Sequence, residues 1–268
     1  MIPKVSVIIA TKDRFAQLEQ AVNSVLKQTY SNIEIIIIND GSVDPKYSSD
    51  NWMKGVANWI DLEVSSKDKF GYASPGFVRH FGITKSTGNY ISILDDDDYF
   101  LPTKIEKQIS SIINSNYKLC ATEGLMGNSF YTDNKYYPKY HIEFYKDFCL
   151  NFFAENNMVF NGALPSIFDK DLISRHNFII HSSVVYDKLL YYDVGGYSFT
   201  KYGREDWDLF LAMLDKSKCI YINEPLVYYD GAERSLNLNS SKMNRNFTRK
   251  LFDKVLTYFN VSSQNNII

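Results

Sequence analysis

The chain is predicted to fold as an α/β protein, with a mostly parallel, Rossmann-like sheet flanked by helices. Three observations carry that expectation. Two short, mostly apolar runs, Val5–Ala10 and Ile33–Ile38, have the length and composition of strands buried on both faces. Between them, Leu18, Ala21, Val22, Val25 and Leu26 recur at the i, i+3, i+4, i+7, i+8 spacing of an amphipathic helix. Strand, helix and strand within about 40 residues make a right-handed βαβ unit.

The first run ends in Thr11-Lys12-Asp13-Arg14. The second ends in Asn39-Asp40-Gly41-Ser42, a turn sequence. Leu62–Ser65 reads as a short strand. Ser74-Pro75 opens a helix that carries Phe77, Val78 and Phe81, with proline at its first position, and Gly88 stops it. Tyr90–Leu94 reads as a strong strand running into Asp95-Asp96-Asp97-Asp98, and Pro102 opens a helix reaching Ser115. From Leu125 to Pro165 the alternation fails. There Phe144, Tyr145, Phe148, Cys149, Phe152 and Phe153 form a stripe at helical spacing, read first as a helix packed on the core and second as a sugar-stacking platform. Ile179–Val185 and Cys219–Ile222 read as strands, and Glu205–Leu214 as a helix. A last helix centres on Phe247, Leu251, Val255 and Phe259. The expected division is one domain over 1–235, with halves 1–124 and 125–235, and a C-terminal helical extension over 236–268.

Composition narrows the function. The 268 residues are 45% hydrophobic and 22% charged, enough for an ordinary packed core. A net charge of −2 offers no phosphate-tracking surface, so a nucleic-acid partner is not expected. Cys120, Cys149 and Cys219 lack metal-ligand spacing and fit a reducing compartment. No stretch approaches the ~20 apolar residues of a membrane span. A cytoplasmic protein is expected, and Lys242, Arg245, Arg249, Lys250 and Lys254 leave room for contact with the cytoplasmic face of a membrane.

The strongest chemical signal is Asp95 to Asp98. Four adjacent carboxylates repel one another, and a divalent cation would offset that repulsion. Ligands of open α/β sheets bind at the carboxyl ends of strands, where this turn lies. Hard oxygen donors suit Mg²⁺ or Mn²⁺. Asp40, at the neighbouring strand end, is placed to accept hydrogen bonds from a base or ribose, although taken alone it reads better as a turn-capping Asp before Gly41. Arg79 can pair with a diphosphate through two donors. Gly203-Arg204-Glu205-Asp206-Trp207-Asp208 sets three acids around a tryptophan, which suits either helix capping or a general base beside a sugar hydroxyl.

In this order, these pieces resemble the family 2 glycosyltransferases, which have the GT-A fold. The resemblance spans residues 3–230. It rests on Val5 to Arg14, Ile38 to Ser42, Arg79 to Ile83, Gly88 to Ile91, Leu94 to Asp98, Pro102, Val194 to Tyr197 and Glu205 to Leu209. It implies that Ala10, Thr11, Asp13 and Arg14, together with Asp40, line a nucleotide site, usually for uracil. Arg79 would stand near the diphosphate. Asp95 and Asp97 would be the two acids of the DxD motif, touching ribose and Mn²⁺ or Mg²⁺, with Asp96 and Asp98 beside them on the donor. Asp206 would be the catalytic base, with Glu205 next to it. His181, Ser182 and Trp207 would lie on the acceptor side.

The implied reaction moves a sugar from a UDP-sugar to a hydroxyl of a glycan, lipid-linked or protein acceptor, with inversion. Two departures from the family pattern stand out. Leu211-Ala212-Met213 occupies a stretch where many relatives carry arginine. No histidine follows Tyr228-Tyr229, so Asp230 or Glu233 would supply any third metal ligand. A nucleotidyltransferase is disfavoured because Thr11 to Arg14 lacks a glycine-rich loop. A non-catalytic nucleotide- or glycan-binding protein derived from such an enzyme is the alternative.

Overall fold

A computed structural model describes residues 2–49, 51–201 and 203–231. The helix expected over 236–268, its basic residues and Glu233 lie outside the described residues. In chain order the elements begin with β1 (Val5–Thr11), α1 (Phe15–Leu26), β2 (Ile33–Asn39), α2 (Pro45–Ser49), α3 (Trp52–Val56) and β3 (Asn58–Asp61). Then come α4 (Ser66–Phe70), α5 (Pro75–Lys85), β4 (Tyr90–Ile93), β5 (Tyr99–Phe100), α6 (Lys104–Ile113) and β6 (Leu119–Gly127). A π-helical turn, Tyr140–Phe144, leads to α7 (Lys146–Glu155), β7 (Ile167–Phe168) and α8 (Lys170–Arg175). After a 3₁₀ turn, His181–Ser183, follow β8 (Val185–Asp187), α9 (Lys188–Asp193), α10 (Glu205–Leu214) and β9 (Cys219–Asp230).

The strands join one sheet in the order β3-β2-β1-β4-β8-β6-β9-β5, with β7 also on β9. β3, β2, β1 and β4 are mutually parallel. β8 runs antiparallel between β4 and β6, which in turn pairs in parallel with β9. The expected α/β class holds: parallel in the first half of the sheet, mixed in the second.

Alternation along β1 builds two cores. Val7 and Ile9 face Leu18, Val22 and Val25 of α1 and Ile105 and Ile109 of α6. Ile8 faces the other way, with Ile36 and Ile38 of β2, towards Val78 and Ile83 of α5 and Leu209 and Phe210 of α10. Each such large aliphatic side chain, fully buried, stabilises the fold by roughly 1.5–3 kcal/mol. Leu26, which continues the α1 periodicity on paper, is exposed because the helix ends there.

Four elements differ from expectation. The short strand is Asn58–Asp61, pairing with Ile36–Asn39, and residues 62–65 instead lead into the cap of α4, where the Ser65 hydroxyl accepts from Asp68 N–H. Within Ile179–Val185 the polar triplet His181-Ser182-Ser183 is drawn off as a 3₁₀ turn, so β8 starts only at Val185. β6 passes through Thr122, Glu123 and Gly124, which hide it from a search for apolar runs. β9 runs on to Asp230, past Ile222, through two register shifts that absorb Asn223 and Glu224 before Pro225 and Leu226 after it. The aromatic stripe is core: Cys149 and Phe153 of α7 are buried, and Phe148 and Phe152 pack on His176 and Phe178. Among the described residues no helix is long and apolar enough to cross a membrane.

Candidate active site

Parallel pairing aligns the carboxyl ends of β2, β1 and β4, so the loops after Asn39, Thr11 and Ile93 share one edge of the sheet. After β1, Asp13 adopts φ 53°, a left-handed conformation that aspartate tolerates better than most residues. Its carboxylate accepts Val43 N–H at 2.7 Å and Asp44 N–H at 3.3 Å, pinning the loop that follows β2. Thr11 Oγ1 lies 2.8 Å from the buried Tyr47 hydroxyl, which also accepts Arg14 N–H at 2.9 Å. Ala10 is half-buried beside them.

Asp40 is buried and turned inward. Its two oxygens accept Ser66 N–H at 2.5 Å and the Ser66 hydroxyl at 2.6 Å. The Ser66 hydroxyl also accepts Ser74 N–H at 3.1 Å, so Asp40 organises the chain from Ser66 to the start of α5. Ser66 and Tyr47 escaped the sequence reading, because nothing local marks a serine or tyrosine as the partner of a residue 26 or 36 positions away.

The acidic turn after β4 is clamped on three sides. Arg14 Nη1 donates to Asp96 at 2.9 Å and to Asp97 at 3.0 Å. Arg79 Nη2 donates to Asp95 at 2.7 Å, and its Nη1 donates to Glu205 at 3.1 Å. On the third side the Ser182 hydroxyl donates to Asp98 and accepts Asp95 N–H at 3.0 Å, and Asp230 N–H donates to the other Asp98 oxygen at 2.9 Å. His181 Nδ1 stands 3.5 Å from Asp95, and its Nε2 lies 2.8 Å from the Tyr197 hydroxyl. Ser182 is thus fully buried behind the turn, and His181 nearly so. Trp207 is fixed by an Nε1–H bond to Ile173 O at 2.8 Å and carries the Arg204 guanidinium 4.5 Å above its ring.

Burial and like charge set the titration of these acids. Burial pushes the Asp95 carboxyl up, but Arg79 and His181 overcome it and hold it well below the ordinary range. Asp97 is pushed up to about 7, first by burial and then by Asp95 and Asp96. Burial raises Asp98, with Asp97 and Asp95 adding to the rise, and burial also raises Asp96 against the pull of Arg14.

Among the described residues, five carboxylates (Asp95 to Asp98 and Glu205) therefore face two guanidiniums, and acidic groups outnumber basic ones at the turn. Hard oxygen donors with unbalanced charge fit Mg²⁺ or Mn²⁺ at Asp95 and Asp97. Among the described residues, no three His, Cys, Asp or Glu side chains form a complete ligand set. Substrate phosphate and water would have to finish the shell, as they commonly do for Mg²⁺.

Arg79 decides how the two halves of the site meet. It lies on α5, and its pairing with Glu205 brings the N-terminus of α10 against the acidic turn. Asp206, the next residue, is half-buried and makes no side-chain hydrogen bond or ion pair with any described residue. The acidic turn and a carboxylate unengaged among the described residues thus stand on either side of one arginine.

Residues 6–176 match the family described as Glycosyl transferase family 2. The chain belongs to glycosyltransferase family 2. An Escherichia coli protein, UDP-Glc:alpha-D-GlcNAc-diphosphoundecaprenol beta-1,3-glucosyltransferase WfaP, is 29% identical over 239 residues, covering 89% of this chain and 81% of WfaP. An uncharacterized glycosyltransferase of Haemophilus influenzae is 34% identical over 131 residues, covering 46% of this chain and 50% of that protein. An uncharacterized glycosyltransferase of Rickettsia bellii is 38% identical over 114 residues, covering 42% of this chain and 16% of that protein. The chain thus spans half or less of the length of the first curated relatives it matches. Among solved structures, S. aureus TarS 1-349 in complex with UDP-GlcNAc superposes with a TM-score of 0.60 at 15% identity, over 85% of this chain and 58% of that one. Mannosyltransferase PcManGT from Pyrobaculum calidifontis, in complex with GDP-Man and Mn²⁺, superposes with a TM-score of 0.61 at 12% identity, over 99% of this chain and 66% of that one. At these identities the shared feature is the fold.

Proposed function

We propose that this family 2 chain is an inverting glycosyltransferase of the GT-A type that transfers a sugar from a UDP-sugar to a hydroxyl of a lipid-linked glycan. The observation that carries the reading is the Arg79 bridge, because it sets the acidic donor turn and Asp206 into one site. WfaP, matched over most of both chains, supports the donor and acceptor classes by its name.

In this reading the loops held by Asp13 and Asp40 receive the nucleotide. Arg79, which has donors committed to Asp95 and Glu205, keeps the acidic turn at a fixed distance from α10. Asp206 takes the proton of the acceptor hydroxyl, whose oxygen then attacks the anomeric carbon from the face opposite the diphosphate. Glu205 acts as a positioning residue, since its carboxylate is spent on Arg79. Trp207 is tied to α8 and offers a rigid wall on the acceptor side. A divalent cation at Asp95 and Asp97, when bound, would neutralise charge on the leaving diphosphate.

The test is nucleotide release from a panel of UDP- and GDP-sugars, with Mn²⁺ or EDTA, for wild type and Asp206→Asn, alongside calorimetric UDP binding. Metal-dependent release from one UDP-sugar, lost in the variant while UDP still binds, supports the proposal. UDP binding with no release from any donor in the presence of lipid-linked acceptors would favour a nucleotide-binding protein instead.

A further inference from the structure

We propose that Arg14 is a built-in counterion of the acidic turn that competes with a divalent cation for Asp97. The inference rests on reading that turn as the donor and metal element. Adjacent parallel pairing of β1 and β4 brings Arg14, just past one strand, onto the turn just past the other. A single nitrogen, Nη1, bridges Asp96 at 2.9 Å and Asp97 at 3.0 Å.

Asp97 depends on that bridge more than its neighbours do. Asp95 has Arg79 and His181, and Asp98 has Ser182 and Asp230 N–H. Among the described residues, Arg14 supplies the one side-chain hydrogen bond to Asp97. A guanidinium 3.0 Å from Asp97 Oδ2 and a cation on the same carboxylate would stand within a few ångströms of each other, and two positive centres so close repel. The two therefore compete for its charge.

Arg14 is the one expected to move. Its backbone is fixed by the N–H bond to the Tyr47 hydroxyl, and its side chain is about one-third exposed. Displaced, it would still find a partner once a nucleoside diphosphate is present, because guanidinium pairs well with phosphate oxygens. Cation and diphosphate therefore help each other bind, and the coupling is reciprocal.

The test is Mn²⁺ binding to the full chain, read from the electron paramagnetic resonance signal of free Mn²⁺, with and without UDP. Wild type, Arg14→Gln and Arg14→Lys are compared, and circular dichroism checks that each is folded. Without UDP, Arg14→Gln is expected to bind Mn²⁺ roughly tenfold more tightly than wild type, and Arg14→Lys, which keeps the charge, to stay near wild type. UDP is expected to tighten Mn²⁺ binding more in wild type than in Arg14→Gln. Unchanged or weaker Mn²⁺ affinity in folded Arg14→Gln would overturn the inference, as would tightening in Arg14→Lys equal to that in Arg14→Gln. If UDP binds but no variant takes up Mn²⁺, the inference fails while the donor-binding reading stands. If UDP does not bind wild type, the functional reading itself fails.

Discussion

Asp206 and Glu205 are neighbours on one helix turn, yet their surroundings give them different work. Glu205 is buried against Arg79, whereas Asp206 makes no side-chain hydrogen bond or ion pair with any described residue. Replacing Asp206 by Asn is expected to lower kcat by about 10²–10⁴-fold, the range for loss of a general base, with UDP affinity in calorimetry near wild type. Arg79→Met is a different kind of lesion. It strands two carboxylates in a site where the arginine is their shared counterion, and is expected to cost about 3–5 kcal/mol in urea unfolding. The identities of these residues were readable beforehand, but their pairing was not: Arg79 and Glu205 are 126 positions apart, and no local pattern links them.

Helix α5 is the element through which the site is assembled, and two glycines let it sit closely. A side chain at Gly82 would collide with Ile8 and Ile38 of the sheet. At Gly76 an added Cβ would fall 2.6 Å from the backbone oxygen of Ser198 and 3.2 Å from Glu205 Cγ. Gly76→Ala is therefore expected to destabilise the fold by about 1–3 kcal/mol and, by displacing Glu205, to lower kcat more than it weakens UDP binding. Gly55 in α3 is the control. Nothing stands within 4 Å of its added Cβ, and Gly55→Ala is expected to stabilise by about 0.4–1 kcal/mol in the same measurement. The helix was legible from Ser74-Pro75 and its apolar residues. Its closeness to α10 was not, because a glycine inside a helix looks the same in sequence whether it meets solvent or a carbonyl.

Acid sensitivity belongs to the molecule as a whole, because the groups responsible tie distant segments together. His176 sits among Phe148, Phe152 and Phe178, and burial first, then His141, pushes its pKa down from 6.5 to about 4. The unfolded chain takes up that proton more readily, so stability is complete above about pH 6.5 and is lost as pH falls towards 4. The loss is on the order of 2 kcal/mol, and His176→Phe is expected to flatten a Tm-against-pH curve across that window.

Glu34 acts lower. Burial favours its protonation, but bonds from Lys4, Ser6 and Thr87 prevail and hold it at about 2, against 4.5. It links β1, β2 and the turn before β4 at the edge opposite the site. Its contribution is full above about pH 4.5 and is lost as pH falls through 2. Glu34→Gln is expected to lower Tm at pH 6 with little effect at pH 2.

By itself the sequence determined the α/β class, the place of the acidic turn at a strand end, and the family. These follow from local patterns: short apolar runs, a 3.6-residue period, and motifs whose residues are adjacent in the chain. The tertiary structure alone decided the mixed second half of the sheet, the course of β6 and β9, and the partners of Arg14, Arg79, Asp40 and Ser182. Glu123 shows why. It lies in a strand that no apolar pattern reveals, and its buried carboxylate is satisfied there by His141, whose backbone N–H donates to it and whose Nδ1 stands 2.9 Å away. Buried polar groups must be satisfied, but their partners come from whichever segments the fold brings near, and that information is not local.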